Sequence, residues 1–310
     1  MHHIYKSIGF TTASVFILLS SNVQADEANA LLNLKNNMAS ASIRAPFNID
    51  NVNAFSTLIK GIYVLEEKGT KTFKLFINES GTLIGSGAGW QKIVSPRGDL
   101  NTNEINELKT EILRNIDTDK LIKIQYGDGG GRKLILFSAI DCPYSSKFEA
   151  ALSKQKLNLN TTFYVVPASL HNEDTAKGKQ NWQTAANIWC NEDNSSAWLS
   201  YWRNPKPIFG QKCELDSFQA SSNSSYLLAI LKSVGIKISS SPAIIREDGM
   251  RFTPPASFDR KYSYENFSNK AFSVITPDNK PLYWLRNDSN TNSNSKINFG
   301  GAINKFLFNK

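Results

Sequence analysis

The sequence predicts an α+β protein in which a small antiparallel sheet precedes an α/β unit. Between residues 62 and 85, turn signals at 67–69 and 78–81 separate three short strand candidates, of which 72–77 alternates between apolar and polar side chains. Residues 103–116 carry apolar side chains at helical spacing. An apolar strand, an amphipathic helix and another strand follow between 134 and 166. That order and spacing indicate a βαβ unit.

Composition limits the classes of function. The chain has 310 residues, of which 41% are apolar, so two domains with a substantial core are expected. The net charge is +8, but the basic residues are scattered and form no Lys/Arg-rich cluster. This distribution argues against a nucleic-acid partner.

The N-terminus has the pattern of a secretory signal peptide. Lys6 supplies positive charge, residues 8–19 form a short apolar run, and Val23-Gln24-Ala25 fits a cleavage site. We therefore expect residues 1–25 to be removed and the mature chain to begin at Asp26 in an oxidising compartment, most simply a bacterial periplasm. The alternative is a membrane anchor, for which the apolar run is short.

Cysteine and histidine usage narrows the chemistry. The three cysteines are Cys142, Cys190 and Cys213, and an odd number in a secreted protein leaves one unpaired or reactive. His171 is the only histidine after residue 25. A zinc site would need it together with cysteines at unsuitable spacings, so we expect no metal and no cofactor.

The remaining segments follow the same patterns. Further strands are expected at 121–126 and from Pro242 to Ile245, and further helices at 175–189, 195–202 and 227–234. Residues 26–60 are expected to be a helical or irregular arm, and 127–132 a flexible turn without the Lys-Ser/Thr ending of a phosphate-binding loop.

The tail is unassigned, with a low-complexity run at 287–294 and short β segments at 272–275 and 283–285. Four tryptophans are expected in the core: Trp182, Trp189, Trp198 and Trp202.

Cys142 lies where an apolar strand ends and a helix begins. The first N–H groups of a helix have no intrahelical partner, and together with the helix dipole they favour a thiolate over a thiol. Pro143 suits the first helical position. The pattern predicts an exposed, reactive Cys142; the alternative is an inert, buried cysteine. Ser145 stands where a Cys-x-x-Cys motif would have its second cysteine, and it cannot attack a mixed disulfide as a thiolate can.

The segment Phe137-Ser-Ala-Ile-Asp-Cys142-Pro-Tyr-Ser145-Ser-Lys-Phe148 resembles the active-site strand, turn and helix of thioredoxin-fold proteins, in particular the periplasmic disulfide isomerases of the DsbC/DsbG type. Ala186-Asn-Ile-Trp-Cys190 resembles the helix that carries the first cysteine of that family's structural disulfide, and Cys213 falls where its partner would be. Residues 235–255, with Ser241-Pro242-Ala243, resemble the block that holds the family's cis-proline.

The resemblance, which covers residues 55 to 258, implies a domain organisation. A dimerisation-like domain at 26–101 and a linker helix at 102–119 would precede a thioredoxin-like domain with a helical insertion at 120–258, followed by an extension at 259–310. It also implies a cis bond at Pro242, a structural disulfide between Cys190 and Cys213, and a homodimer. A redox-active pairing of either cysteine with Cys142 is the alternative. The implied substrate-binding residues are Pro143, Tyr144, Ser241 and Pro242.

Three functions are compatible with these residues. The first is a thiol–disulfide isomerase-like enzyme in which Cys142, with Ser145 as hydrogen-bonding neighbour, forms mixed disulfides with unfolded or misoxidised secreted proteins, with a membrane protein as redox partner. The second is a periplasmic chaperone or partner-binding protein whose thiol chemistry is lost. The third, a minor one, is a cysteine nucleophile with His171 as its base.

Overall fold

The computed structural model describes residues 14–126, 132–154, 161–204, 213, 215–246 and 249–254, with side chains described from residue 25 onward except at 132, 153 and 154. The expectations for the turn at 127–131 and for the tail at 259–310, with its short β segments, lie outside the described residues, as do residues 8–13 of the apolar run near the N-terminus.

The N-terminal part is one helix against a six-stranded antiparallel meander. Neighbouring strands follow chain order throughout the sheet. The elements are α1 (Ser14–Ser40), β1 (Val52–Ser56), β2 (Ile62–Glu67), β3 (Phe73–Asn78), β4 (Leu83–Ser86), β5 (Gly89–Lys92) and β6 (Gly98–Asp99).

Both faces of this sheet are buried. Since successive side chains of a strand point to opposite faces, the apolar residues of one strand divide between two hydrophobic clusters. In β2, Tyr63 and Leu65 pack with Leu34 of α1, whereas Ile62 and Val64 belong to the main hydrophobic core on the other face. The strand is therefore apolar without interruption from Ile62 to Leu65.

Helix α1 lies directly on the turn between β3 and β4. The Asn37 side-chain amide donates to the carbonyl oxygens of Ser80 and Gly81 at 2.9 and 3.0 Å. Gly81 has a φ of +62°, and a Cβ atom there would collide with the backbone of Leu34. Only glycine combines this backbone conformation with so close an approach.

The structure corrects the extent of the meander. Residues 26–60 were expected to be helical or irregular, but they contain β1, and β5 and β6 extend the three expected strands to six. These strands are short and polar in part, and β5 begins with Gly89. Their pairing with neighbouring strands, which a local pattern does not contain, stabilises them.

Helix α2 (Thr102–Arg114) fits the amphipathic helix expected at 103–116. Asn101 and Glu104 form a reciprocal capping box at its start, and Leu108, Ile112 and Leu113 are buried. Glu104 also accepts a 2.7 Å hydrogen bond from Lys92 of β5, whose side chain is fully buried. The helix is thus fixed to the sheet before it.

The second part is a five-stranded mixed sheet with helices. Its strand order is β11-β10-β8-β9-β7, in which β8 and β9 are parallel and the other pairs antiparallel. This order, with a helix between the two parallel strands, is a thioredoxin-like arrangement. The elements are β7 (Ile122–Tyr126), β8 (Arg132–Ala139), α3 (Pro143–Lys154), β9 (Thr161–Ala168), α4 (Ala176–Trp189), α5 (Asn194–Arg203), α6 (Ser217–Ser233), β10 (Ala243–Ile245) and β11 (Arg251–Phe252).

Among the boundaries that differ from the sequence-based expectation, two have a clear physical reason. Helix α6 begins at Ser217 rather than Leu227, because Asp216 and Gln219 form a capping box that starts the helix in a polar segment. Strand β9 continues through Pro167, which was expected to end it, to Ala168. Pro167 lies near the strand end, where the loss of one N–H donor is tolerated.

Helix α6 joins the two sheets. The Trp90 indole of β5 donates to Ser233 Oγ at 2.6 Å, and the Tyr226 hydroxyl donates to Glu66 Oε1 of β2 at 2.6 Å. Phe76 packs against Tyr226 with ring centroids 6.0 Å apart. A single hydrophobic cluster therefore runs through both sheets, α2 and α6. Among the described residues, no helix combines the length and apolar character needed to cross a membrane.

Candidate functional site

The chain places Cys142 at the end of β8, immediately before α3. Its N–H donates to the carbonyl oxygen of Ala139 at 3.1 Å, which forms the turn, and its carbonyl accepts the first bond of the helix from Ser146 N–H at 3.0 Å. Pro143 is the first residue of α3. The helix therefore begins at the thiol, as the sequence pattern predicts.

The expectation that Cys142 is exposed is wrong. The residue is free of any disulfide but is only 5% exposed. Its Sγ donates to the carbonyl oxygen of Ser241 at 3.2 Å, so the loop before β10 covers the sulfur. Only the protonated thiol can make this bond, because a thiolate has no proton to donate. The strand-turn-helix pattern could not reveal this cover, because Ser241 is 99 positions further along the chain.

Ser145 lies under the same loop. It is fully buried, and its Oγ is 2.9 Å from Ser241 Oγ. Ser241 Oγ in turn accepts the Ala139 N–H at 2.7 Å. The Ser241–Pro242 peptide bond is cis. Three segments that are distant in the chain, namely the end of β8, the first turn of α3 and the loop before β10, are thereby joined through Ser241.

Next to the covered thiol, the surface is partly apolar. Pro143 and Tyr144 are exposed on the first turn of α3, with 54% of Tyr144 accessible. Leu170, in the loop after β9, is 58% exposed, and its N–H donates to Asp141 Oδ1 at 2.8 Å. Of the expected substrate-binding residues, Pro143 and Tyr144 therefore face solvent, whereas Pro242 is buried and Ser241 is half-buried.

A carboxyl group lies inside the fold on the buried side of α3. Glu149 accepts a hydrogen bond from Ser138 Oγ at 3.1 Å, and both residues are buried. Burial raises the pKa of Glu149 to about 7, although the bond from Ser138 opposes the shift. This group is neutral in mildly acidic solution and titrates close to neutral pH.

Four donors surround the carboxylate of Asp141, the residue before the thiol. Burial alone would raise the pKa of Asp141, but the hydrogen bonds outweigh it and hold the pKa below its usual value. The donors are Leu170 N–H to Oδ1 at 2.8 Å and, to Oδ2, Ser169 Oγ at 2.9 Å, Asn181 Nδ2 at 2.7 Å and His171 Nδ1 at 2.6 Å. The partner of His171 is therefore Asp141, the residue that precedes Cys142.

The other two cysteines form a disulfide. Cys190, at the end of α4, is bonded to Cys213 with their Cα atoms 5.0 Å apart. The alternative pairing of either residue with Cys142 is not the one in the structure. Of the four tryptophans expected in the core, Trp182, Trp189 and Trp198 are buried, and Trp202 is partly buried against it. Within the described parts of the chain, no group of three His, Cys, Asp or Glu side chains is placed to hold a metal ion.

Sequence reasoning did not identify Ser138, Asp141 or Glu149 as part of the site. For Glu149 a signal was available: it lies four residues after Ser145 and three before Leu152, on the buried stripe of α3, where an acidic residue is unusual. Asp141 had only its position before Cys142 as a signal, since its donors come from the loop after β9 and from α4.

Comparisons with known proteins give distant structural similarities. No family model and no curated protein matches the chain. The disulfide interchange protein of Neisseria gonorrhoeae is similar over 48% of this chain and 97% of its own, with 21% identity and a TM-score of 0.34. Proteus mirabilis ScsC in a transitional conformation is similar over 55% of this chain and 82% of its own, with 16% identity and a TM-score of 0.33.

DsbG of Helicobacter pylori is similar over 63% of this chain and 93% of its own, with 16% identity and a TM-score of 0.30. Similarities at this level carry no functional argument.

Proposed function

We propose that the protein exchanges thiols and disulfides through Cys142 alone, as a monothiol, isomerase-like protein. The observation that carries this proposal is the free Cys142 at the start of α3, held against the Ser241–Pro242 cis loop, with a serine in the position three residues later. A helix start is where a thiolate is best stabilised, and Ser145 leaves no second thiol on the same turn.

The exchange needs no external electrons. The Cys142 thiolate attacks one sulfur of a substrate disulfide, that S–S bond breaks, and the other substrate sulfur leaves as a thiolate that takes up a proton. Another thiolate of the same substrate then attacks the substrate sulfur of the mixed disulfide. A new substrate disulfide forms, and Cys142 is released as a thiolate. The net result is a rearranged substrate.

Attack requires that the cover over Cys142 opens. Because the thiol donates to the Ser241 carbonyl, deprotonation of the thiol removes that hydrogen bond. No proton then lies between the sulfur and the carbonyl oxygen. A substrate segment that pairs with the backbone near Ser241 would take the place of this contact, with Pro143 and Tyr144 at its side. In this proposal, substrate binding and thiol exposure are one step.

Rescue of scrambled ribonuclease by the purified protein tests this function. Wild type should restore ribonuclease activity, and Cys142→Ala should abolish the effect, because no other free thiol is present among the described residues. Ser146→Ala, an exposed change on the same turn, is the matched control and should retain activity. Equal rescue by Cys142→Ala and wild type would exclude the thiol mechanism.

Trapping provides a second readout. Since no neighbouring cysteine can release a bound substrate, wild-type protein should accumulate mixed disulfides that appear on non-reducing gels and disappear in Cys142→Ala. Mass spectrometry of those bands would identify the substrates.

The burial of Cys142 favours one alternative, a binding protein whose thiol is not used. Such a protein would suppress aggregation of unfolded chains equally well as wild type and as Cys142→Ala, and it would form no mixed disulfides in cells. A thiol exchanger would lose covalent capture in the same variant.

Location and partners belong to the proposal. An isomerase-like protein requires an oxidising compartment, and the predicted signal peptide supports the periplasm. We further propose unfolded or misoxidised secreted proteins as substrates, a membrane protein as redox partner, and a homodimer. Cell fractionation tests the location, and light scattering coupled to size-exclusion chromatography tests the dimer: a monomeric mass at micromolar concentration would exclude it.

A further inference from the structure

The Asp141 carboxylate has an unusual position for a residue beside a reactive thiol. A negative charge next to a sulfur opposes the formation of a second negative charge there. Yet Asp141 is ionised, only 10% of its side chain is exposed, and the described residues that bond to it include no lysine or arginine. Its charge is instead met by four hydrogen-bond donors.

These donors all lie on one side of the turn. Leu170, Ser169 and His171 belong to the loop after β9, and Asn181 belongs to α4. The Cys142 thiol, by contrast, points to the Ser241 carbonyl in the loop before β10. In the sheet, β9 and β10 flank β8 on opposite sides. The carboxylate and the thiol, although adjacent in sequence, are therefore held towards opposite neighbours of β8.

Of the four donors, His171 makes the shortest contact with the carboxylate. Its Nδ1 is 2.6 Å from Asp141 Oδ2, and 38% of its side chain is exposed, so solvent reaches the ring. The ring also lines a cleft of about 340 Å³ between the loop after β9 and helices α4 and α6.

Among the described residues, those that line the cleft beside this ring include two charged groups. The cleft contributes the carboxylates of Glu173 and Asp174 from the same loop, while α4 contributes Trp182, and α6 contributes serines and Leu228. From α5, the Tyr201 hydroxyl donates to the Ile140 carbonyl oxygen at 3.1 Å, and burial, followed by the charge of Asp141, raises the pKa of Tyr201.

We propose that His171 is a positioning residue for Cys142: it holds the Asp141 carboxylate away from the thiol. This deepens the proposed thiol exchange and rests on Cys142 being its nucleophile. Loss of His171 therefore frees the Asp141 carboxylate to approach the thiol and oppose thiolate formation.

The test is the rate at which iodoacetamide alkylates Cys142 as a function of pH, measured on folded full-length protein. His171→Ala should move the half-maximal rate upward by about half a pH unit, which is about threefold in rate at a fixed lower pH. His171→Asn keeps a donor to Asp141 and should recover part of this shift. Asn172→Ala, a neighbouring change whose side chain is exposed, is the control.

The Asp141→Asn background shows whether His171 acts through the carboxylate. Asp141→Asn should move the half-maximal rate downward, and adding His171→Ala should then cause no further shift. An unchanged profile in both His171 variants, or equal His171 shifts with and without the carboxylate, would overturn the proposal. Because alkylation needs no turnover, a protein that shows these shifts but fails to rescue ribonuclease would refute the proposed function and leave the positioning role standing.

Discussion

Glu149 is a carboxyl group that the fold keeps neutral over a range where an exposed glutamate is ionised. Burial raises its pKa from the ordinary glutamate value of 4.5 to about 7, so between these values the folded protein binds a proton that the unfolded chain releases. Its contribution to stability is present in full below pH 4.5 and is lost as the pH rises through about 7. The shift corresponds to about 3 kcal/mol.

Glu149→Gln should therefore flatten the pH dependence of stability. In chemical denaturation from pH 4.5 to pH 8, the free energy of unfolding of the variant should increase relative to that of wild type as the pH rises, by about 3 kcal/mol in total. Glu107→Gln, an exposed change on α2, is the matched control and should follow the wild-type curve. Parallel curves for Glu149→Gln and wild type would contradict the buried neutral carboxyl.

Ser145 limits the chemistry of the site in a way that one substitution can reverse. Ser145→Cys should allow a disulfide between residues 142 and 145, because residues three apart at a helix start lie close enough for one. The variant should then reduce insulin in the presence of dithiothreitol. Ser145→Ala, which removes the hydroxyl without adding a thiol, should not. Absence of the new disulfide by mass spectrometry under oxidising conditions would show that the turn cannot accommodate it.

At the scale of elements, the sequence predicted helices and strands best where their apolar residues recur at a regular spacing. The stripe of α2, the strands β2 to β4 and the start of α3 at Pro143 follow from spacing and turn signals. The cover over Cys142, the donors to Asp141 and the strand β6 do not, because each depends on a partner far along the chain. The start of α6 had a local signal in Asp216 and Gln219, but its polar first turns hid it.

The buried pair of Lys92 and Glu104 holds α2 to β5. Lys92→Met should destabilise the protein by about 3–5 kcal/mol, because it leaves the Glu104 carboxylate buried without its cation. Guanidinium denaturation measures the loss. Lys35→Met, which breaks the exposed pair with Asp50, should have little effect. Equal small effects of the two changes would mean that the buried pair contributes no more than the exposed one.

At the scale of the whole molecule, the two sheets share one hydrophobic cluster and should unfold together. Tyr226→Phe tests the contact between α6 and the first sheet, since it removes the donor to Glu66, which is 7% exposed. The change should lower the free energy of unfolding by about 1–3 kcal/mol. Fluorescence and far-UV circular dichroism should still give coincident transitions at a lower midpoint. Tyr144→Phe, on the exposed first turn of α3, should leave the midpoint unchanged. Two separate transitions in wild type would show that the sheets are independent.

The cover over Cys142 also has a consequence for the growing chain. Ser241 is synthesised 99 positions after the thiol it will protect, so Cys142 leaves the ribosome uncovered. Cys190 appears during that interval, before its proper partner Cys213, 23 positions further on. In an oxidising environment, the first two thiols to emerge are therefore the ones that should not be joined. The order of appearance, rather than the finished fold, decides whether a newly made molecule begins with the wrong bridge.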